Sequence, residues 1–460
     1  MKFEWKRFKP YWKSLYMGIC TFIMSCGFQT TQNYQSGINK TNGYISVALI
    51  YGIFGLSQFI TPALVHFLTP KYSMFVACLC YLFYIASNIK LIIPLYFVAS
   101  SVCGFGAALL WSGSSTLMSG YEQECNHPSH IYTLFFVPTY MCFLGNIVSL
   151  VFTPDEPMIM FIALTVLASI SAIMYLFGYN SPPVPMESTK EVMLSTCKQF
   201  FNWRLALFFP IAILFGISRS FYYTTMPTLA PVSVTAYIFI CNGATMSIAS
   251  ICWDYISAYF TEKISILISI IFEVVAVILA FVINEHFLHN SIDNVPESNM
   301  TLNVLVCLLG GIAGIGDAGL EMVVTAALNR VWPKEVSPLC AWRTVYLGSM
   351  CVALLYSAFI NYRIILIIFA IVTLIGLGFI ILICVMYKKI YLEIETMNNE
   401  KVKELLEEEH LIDDNKENDE NEDKLEDETP FDENIPQQKE NNDFYNQLDN
   451  ISEGSQLLDS

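Results

Sequence analysis

The sequence predicts an all-α polytopic membrane protein: twelve helices in two sets of six, then a disordered acidic tail. Three observations carry this. The 460-residue chain is 55% hydrophobic and only 14% charged, where a soluble protein carries roughly 25% charge. Its 33 Phe and 25 Tyr add apolar surface that so few charges could not screen from water. Charge is also segregated. Residues 390–460 hold 24 acids and 5 bases, and the remainder holds 16 and 19. The formal net charge of −16 therefore belongs to the tail. The body is near neutral and offers no basic face to nucleic acid.

A helix needs about 20 mostly apolar residues to cross a hydrocarbon core about 30 Å thick. Twelve such runs lie near 12–32, 43–66, 72–89, 92–119, 131–153, 157–178, 204–228, 233–256, 264–284, 303–329, 337–360 and 362–387. Charges, Pro or Asn/Gly separate them. The sixth and twelfth hold almost nothing polar. The strands of a membrane barrel would alternate over about ten residues, and these runs are longer and uniformly apolar.

Orientation follows from the excess of Lys and Arg in cytoplasmic loops. Lys2, Lys6, Arg7, Lys9 and Lys13 precede the first span. Lys71, Lys190, Lys198, Arg204, Lys263, Arg330, Lys334, Lys388 and Lys389 fall on the same side, against Lys40, Lys90 and Arg363 on the other. Both termini are expected in the cytoplasm, the first span serving as a retained signal anchor. Two sequons, at Asn39 and Asn299, fall in outer loops and are candidate glycosylation sites. A third, at Asn450, falls in the tail and is expected to stay unused.

Twelve of the 14 cysteines lie in spans. The loop cysteines Cys125 and Cys197 are cytoplasmic, so no disulfide framework is expected. His127 with His130, and His286 with His289, are His-x-x-His pairs. Neither has a third ligand nearby, so no metal site is expected. The chain lacks a Gly-x-x-x-x-Gly-Lys loop, a His-Glu-x-x-His helix and a Gly-x-Ser-x-Gly elbow. No enzyme and no cofactor is expected.

The resulting organisation is a basic amino terminus (1–11), a first six-helix half (12–178), a cytoplasmic linker with the run Ser181-Pro182-Pro183-Val184-Pro185 (179–203), a second half (204–388) and the tail (389–460). Span four reads Gly104-Phe105-Gly106-Ala107-Ala108-Leu109 and span ten Gly314-Ile315-Gly316-Asp317-Ala318-Gly319. Gly, Gly and Ala coincide at a constant offset of 210, as an internal duplication would leave them. Glycine at this density lets helices approach closely. Polar residues gather in spans one (Ser25, Gln29, Thr30), four (Ser100, Ser112, Ser115), seven (Ser218, Arg219, Thr224) and ten (Asp317, Glu321, Thr325). Spans one, four, seven and ten would then line a central cavity while three, six and twelve face lipid. Glu273 in span nine breaks the pattern, and the sequence offers no role for it.

Several segments resemble the UNC-93-like family of the major facilitator superfamily, which includes ion-channel regulatory proteins. They are Gln32-Asn33-Tyr34-Gln35-Ser36, Ile50-Tyr51-Gly52, Pro62-Ala63-Leu64, Pro70-Lys71-Tyr72-Ser73-Met74, the glycine stretch of span four through Trp111, and that of span ten through Ala318. The resemblance covers about 12–388. The Gly-x-x-x-Asp-Arg-x-Gly-Arg loop of sugar porters is absent between spans two and three. The resemblance implies a major-facilitator fold of six plus six helices. It also implies one of two roles: a carrier of a solute or ion, or a regulatory subunit of a potassium channel or escort of a membrane receptor. Fold alone does not choose between them.

Ionisable groups inside a span cost roughly 2.5–3.5 kcal/mol on insertion scales, so each needs a reason. Asp317 and Glu321 are four apart and share a helix face. At about 1.5 Å per residue Asp317 lies near mid-membrane and Glu321 deeper toward the cytoplasm. Two acids on one face repel in a low dielectric, so at least one is expected to carry a proton near neutral pH. That is how a coupling site would be built. Arg219 lies about 22 Å into span seven. It would contact an anionic substrate, lock helices seven and ten as an ion pair, or snorkel to the outer interface. Gln29, Asn33 and Trp111 are cavity candidates by position, with packing as the other reading of Trp111.

The tail is rich in Asn, Glu, Asp and Lys and poor in aromatics, which predicts disorder. Tyr445-Asn446-Gln447-Leu448 fits a tyrosine-x-x-apolar sorting signal. Glu453-Gly454-Ser455-Gln456-Leu457-Leu458 fits an acidic dileucine signal. Clathrin adaptors are the expected partners, in endosomal or lysosomal membranes as well as the plasma membrane.

Overall fold

The computed structural model describes residues 5–124, 129–152, 157–180, 189–259, 262–288, 299–332, 337–383 and 385–386. The tail with its sorting motifs, Asn450, the Pro-rich part of the linker, Cys125, His127 and His289 lie outside them. The described residues are helical, and nine helices among them are long and apolar enough to span a membrane.

α1 (Trp5–Ser57) is one continuous helical run covering the first span and most of the second. It is not a straight rod. The Tyr51 hydroxyl donates to Gln32 Oε1 at 3.0 Å, although 19 residues of straight helix extend about 28 Å. The run therefore reverses between Gln32 and Tyr51, where Gly37, Asn39, Asn42 and Gly43 weaken helix propensity. The expected second span, 43–66, is also interrupted. α1 stops at Ser57, and a short α2 (Thr61–Leu68), with Pro62 in its first turn, takes over. Then follow α3 (Pro70–Ser87), α4 (Ile93–Gln123), α5 (Ser129–Tyr140), α6 (Asn146–Val151) and α7 (Pro157–Leu176). After α8 (Thr189–Gln199) and α9 (Trp203–Ala206) come α10 (Phe209–Ser220), α11 (Thr235–Tyr259), α12 (Glu262–Ile283), α13 (Met300–Val331), α14 (Ser337–Ser357) and α15 (Tyr362–Ile383).

The bundle has a basic end, marked by Lys13, Lys71 and Arg204, and an opposite end, marked by Asn39, Asn299 and Arg363. At the basic end Lys13 Nζ lies 2.8 Å from Glu124 and 5.3 Å from the centre of the Tyr121 ring, joining α1 to α4. Toward the opposite end Asn33 Nδ2 donates to Asn146 Oδ1 at 3.2 Å, and Gln35 Nε2 to Asn88 Oδ1 at 2.9 Å.

Glycines set the close packing. Space for a Cβ at Gly104 is filled by the Ile50 backbone, and at Gly106 by Cys80 and Ala77. Space at Gly314 is filled by the Asn242 backbone, and at Gly316 by Glu273. α4 thus rests on the second limb of α1 and on α3 as α13 rests on α11 and α12. The two glycine stretches spaced 210 apart play the same structural part. Two further seams join the 12–178 and 204–388 regions. Gly55 of α1 meets Leu347 of α14. Gly243 of α11 meets Phe143, and Ser247 Oγ donates to the Tyr140 carbonyl at 3.2 Å. On α7 the exposed residues Ile159, Ile162, Val166, Ile170 and Ile173 form one apolar stripe. Ile364, Ile367, Ile371 and Leu374 do so on α15. Such uninterrupted apolar surface suits lipid.

Gly104→Val and Gly314→Val should each destabilise the protein by about 1–3 kcal/mol through overpacking against backbone. Gly348, which has open space where a Cβ would go, should accept Ala with no loss. Thermal unfolding of the three variants in detergent checks the contrast.

Candidate functional site

Arg219 sits in the last turn of α10, and the chain beyond it winds into a π-helical turn, Phe221–Thr225. Thr224 Oγ1 donates back to the Ser220 carbonyl at 2.6 Å. Wide turns of this kind gather at functional sites because they redirect side chains out of helical register. Here Arg219 faces α13 and Tyr222 faces α12.

Arg219 Nε donates to Asp317 Oδ1 and Oδ2 at 3.1 and 3.0 Å, and Nη2 donates to Glu321 Oε2 at 2.5 Å. The four-residue spacing on α13 lets one guanidinium fork across both acids. Its Cζ lies 4.4 Å from the centre of the Phe215 ring and 5.9 Å from that of Tyr223, so the cation also rests on aromatic faces. Side-chain exposure is 4% at Asp317, 11% at Arg219 and 27% at Glu321. Exposure rises one turn toward the basic end, so the cluster meets solvent from that side.

The facing wall is aromatic. Trp111 of α4 stacks on Phe136 with centroids 6.1 Å apart, and Phe136 on Tyr140 at 5.9 Å. Tyr140 lies in the electrostatic field of Glu321, Arg219, Arg343 and Asp317. α4 and α5 therefore supply rings, while α10, α13 and α14 supply charge. Arg343 is half-buried on α14 and among the described residues has no hydrogen bond or ion pair.

The structure brings together Arg219, Asp317 and Glu321, and links Trp111 to them only through the Phe136–Tyr140 stack. Gln29 and Asn33 lie apart. Gln29 Nε2 reaches Asn33 Oδ1 at 3.4 Å, and Asn33 is buried on Asn146, so these amides knit α1 to α6. Asn39 Nδ2 donates to Gln35 at 2.7 Å, and Asn299 Oδ1 caps α13 through the Leu302 N–H. Sequence reasoning missed Arg343, Tyr140 and the partner of Glu273. Arg343 was detectable as a cation six residues into an apolar run. The other two depend on contacts between helices.

With this geometry in place, comparison with known proteins is informative. The pattern of ion channel regulatory protein UNC-93 matches residues 34–381. The chain belongs to the UNC-93 family. An UNC93-like protein MFSD11 of Xenopus tropicalis is 26% identical over 174 residues, which are 35% of this chain and 39% of that relative. UNC93-like protein 3 of Arabidopsis thaliana is 23% identical over 111 residues, 24% of this chain and 23% of the relative. These matches thus span well under half the length of either relative. Among solved structures, a POT family transporter in complex with 5-aminolevulinic acid has a TM-score of 0.64 at 11% identity, covering 83% of this chain and 96% of the other. The nucleoside transporter NupG has 0.57 at 12%, covering 82% and 99%. At such identities the likeness is one of fold. This UNC-93 family chain is a multi-pass membrane protein that shares its fold with those two proteins.

Removing one partner from a buried ion pair costs about 3–5 kcal/mol. Arg219→Ala should therefore destabilise this chain by that order. Exchanging the charges, Arg219→Asp with Asp317→Arg, should recover part of the loss. Detergent thermal unfolding of the single and double variants checks this.

Proposed function

We propose that this protein is a secondary transporter of a small solute or ion through the central space between its two six-helix halves. Twelve helices cross the membrane in this reading, and both termini are cytoplasmic. The observation that carries it is Arg219 forked between Asp317 and Glu321, with exposure rising toward the basic end. An ion triplet needed only to lock two helices would gain nothing from that water access. Asp317 and Glu321 act as coupling acids. Taking up a cation or proton at either one loosens its hold on Arg219 and frees that cation for an anionic group. Arg343, with no counter-charge among the described residues, supports a solute bearing a negative group, and the Trp111–Phe136–Tyr140 wall would take its apolar part.

A second reading is supported by the family description. UNC-93 is named an ion channel regulatory protein, so the chain would act as a non-transporting subunit of a channel, a potassium channel among them, or as an escort for a receptor. The two part cleanly in purified proteoliposomes. A carrier moves solute or ions without a partner, and a regulatory subunit does not. In the carrier, Asp317→Asn should abolish ion-coupled flux while the protein stays folded. Wild-type flux with unchanged pH dependence in that variant removes the coupling role.

The tail would set the address of the protein through clathrin adaptors. Tyr445→Ala combined with Leu457→Ala and Leu458→Ala should shift it to the cell surface. An unchanged distribution by surface biotinylation excludes both signals. Asn39 and Asn299 would face the lumen. Asn299 is the better glycan acceptor of the two, because the Asn39 amide nitrogen is already donated to Gln35.

A further inference from the structure

Glu273 is a buried acid that stands outside the Arg219–Asp317–Glu321 cluster. It is fully buried on α12. The Tyr222 hydroxyl donates to its Oε2 at 2.5 Å, while its Oε1 has no hydrogen-bond partner. That oxygen points at α13 beside the ion cluster, for a Cβ on Gly316 would lie 2.9 Å from it. The neighbouring residue on α13 is Asp317. The charged or titratable groups around Glu273 are Tyr222 and Arg219 from the α10 segment and Asp317 from α13, while α11, also packed on α12, adds none among its described side chains.

Packing does not call for an acid here. In the first half the contact equivalent to Gly316–Glu273 is Gly106–Cys80, where a small neutral thiol fills the space. An ionised carboxylate with one oxygen lacking a protein partner is costly to bury. The neutral acid, donating its proton to the Tyr222 oxygen, leaves only a single uncharged carbonyl oxygen unpaired, a smaller cost than an unpaired charge. Counting charge, Arg219 already serves two carboxylates. A third anion beside them has no cation of its own among the described residues.

We propose that Glu273, held by Tyr222, is a proton-binding site of the second half, its occupancy set by the Arg219–Asp317 pair across Gly316. A proton from water in the central space adds to the carboxylate, the Tyr222 bond reverses so that the acid donates, and no other bond changes. When Asp317 is neutralised or drawn away, Arg219 becomes the counter-charge that lets Glu273 release the proton to water. Its role as a second proton carrier rests on the transporter reading, but the site itself does not.

The test is infrared spectroscopy of the full chain in proteoliposomes across the accessible pH range. A protonated-carboxyl band should be present in the wild type, disappear on titration to high pH, and be missing in Glu273→Gln. Asp317→Asn should move its midpoint, and Tyr222→Phe should shift its frequency. The last two variants keep the assay usable if Glu273→Gln does not fold. A Glu273 that is protonated or ionised at every pH overturns the proposal, as does a midpoint indifferent to Asp317→Asn. A titrating Glu273 in a chain without flux keeps the site and removes the carrier, whereas flux with a silent Glu273 does the reverse.

Discussion

Close backbone approach at two glycine stretches is the constraint on which the bundle depends. Gly104 and Gly314 leave no room for a side chain, because carbonyl groups of α1 and α11 occupy it. Lipid tails are as apolar as the helices, so the hydrophobic effect gives little drive for helices to associate within a bilayer. Contact area and polar links must hold them. Glycine supplies the contact area at a cost in helix propensity of about 1 kcal/mol per residue, which the packed neighbours offset. The same contacts place α13 near the centre, and α13 carries the acids.

The polar links follow from that placement. Once α13 is pressed against α11 and α12, Asp317 and Glu321 face the α10 segment, and Arg219 closes the gap with three hydrogen bonds. Gly316 makes a pocket on the opposite flank, which Glu273 fills. Four charged groups and Tyr222 are thereby gathered within three helices of the second half. The first half offers rings and amides at the corresponding depth. Equal scaffolds thus carry unequal chemistry, with Cys80 standing where Glu273 stands and Trp111 linked to the charges only through the Phe136–Tyr140 stack.

Unpaired groups distinguish function from packing in this cluster. Arg219 is held by two carboxylates and two aromatic rings and by itself would pass for a lock between helices. Arg343 is half-buried without a counter-charge among the described residues, and Glu273 Oε1 has no hydrogen-bond partner among them. A fold selected for stability alone would have filled those two places with neutral residues, since a lone charge in a span is costly.

Sequence by itself determined the membrane class, the broad helix order and the identity of Arg219, Asp317 and Glu321 as residues needing explanation. Apolar run length and the cost of charge in hydrocarbon are properties of a linear string. It also placed the two matching glycine stretches, because glycine spacing is a property of the linear string. Contacts decided the rest. The reversal between the first two spans was legible from Gly37, Asn39, Asn42 and Gly43, but that helical bonding continues through it was not. That Asn33 is bonded to Asn146 of α6, with Gln29 on the turn before it, was likewise set by contacts. Arg343 and Glu273 owe their interest to what stands beside each of them, Tyr140 and Tyr346 for the one and Tyr222 with Gly316 for the other. Adjacency between helices distant in the chain is set by packing, and no span read alone contains it.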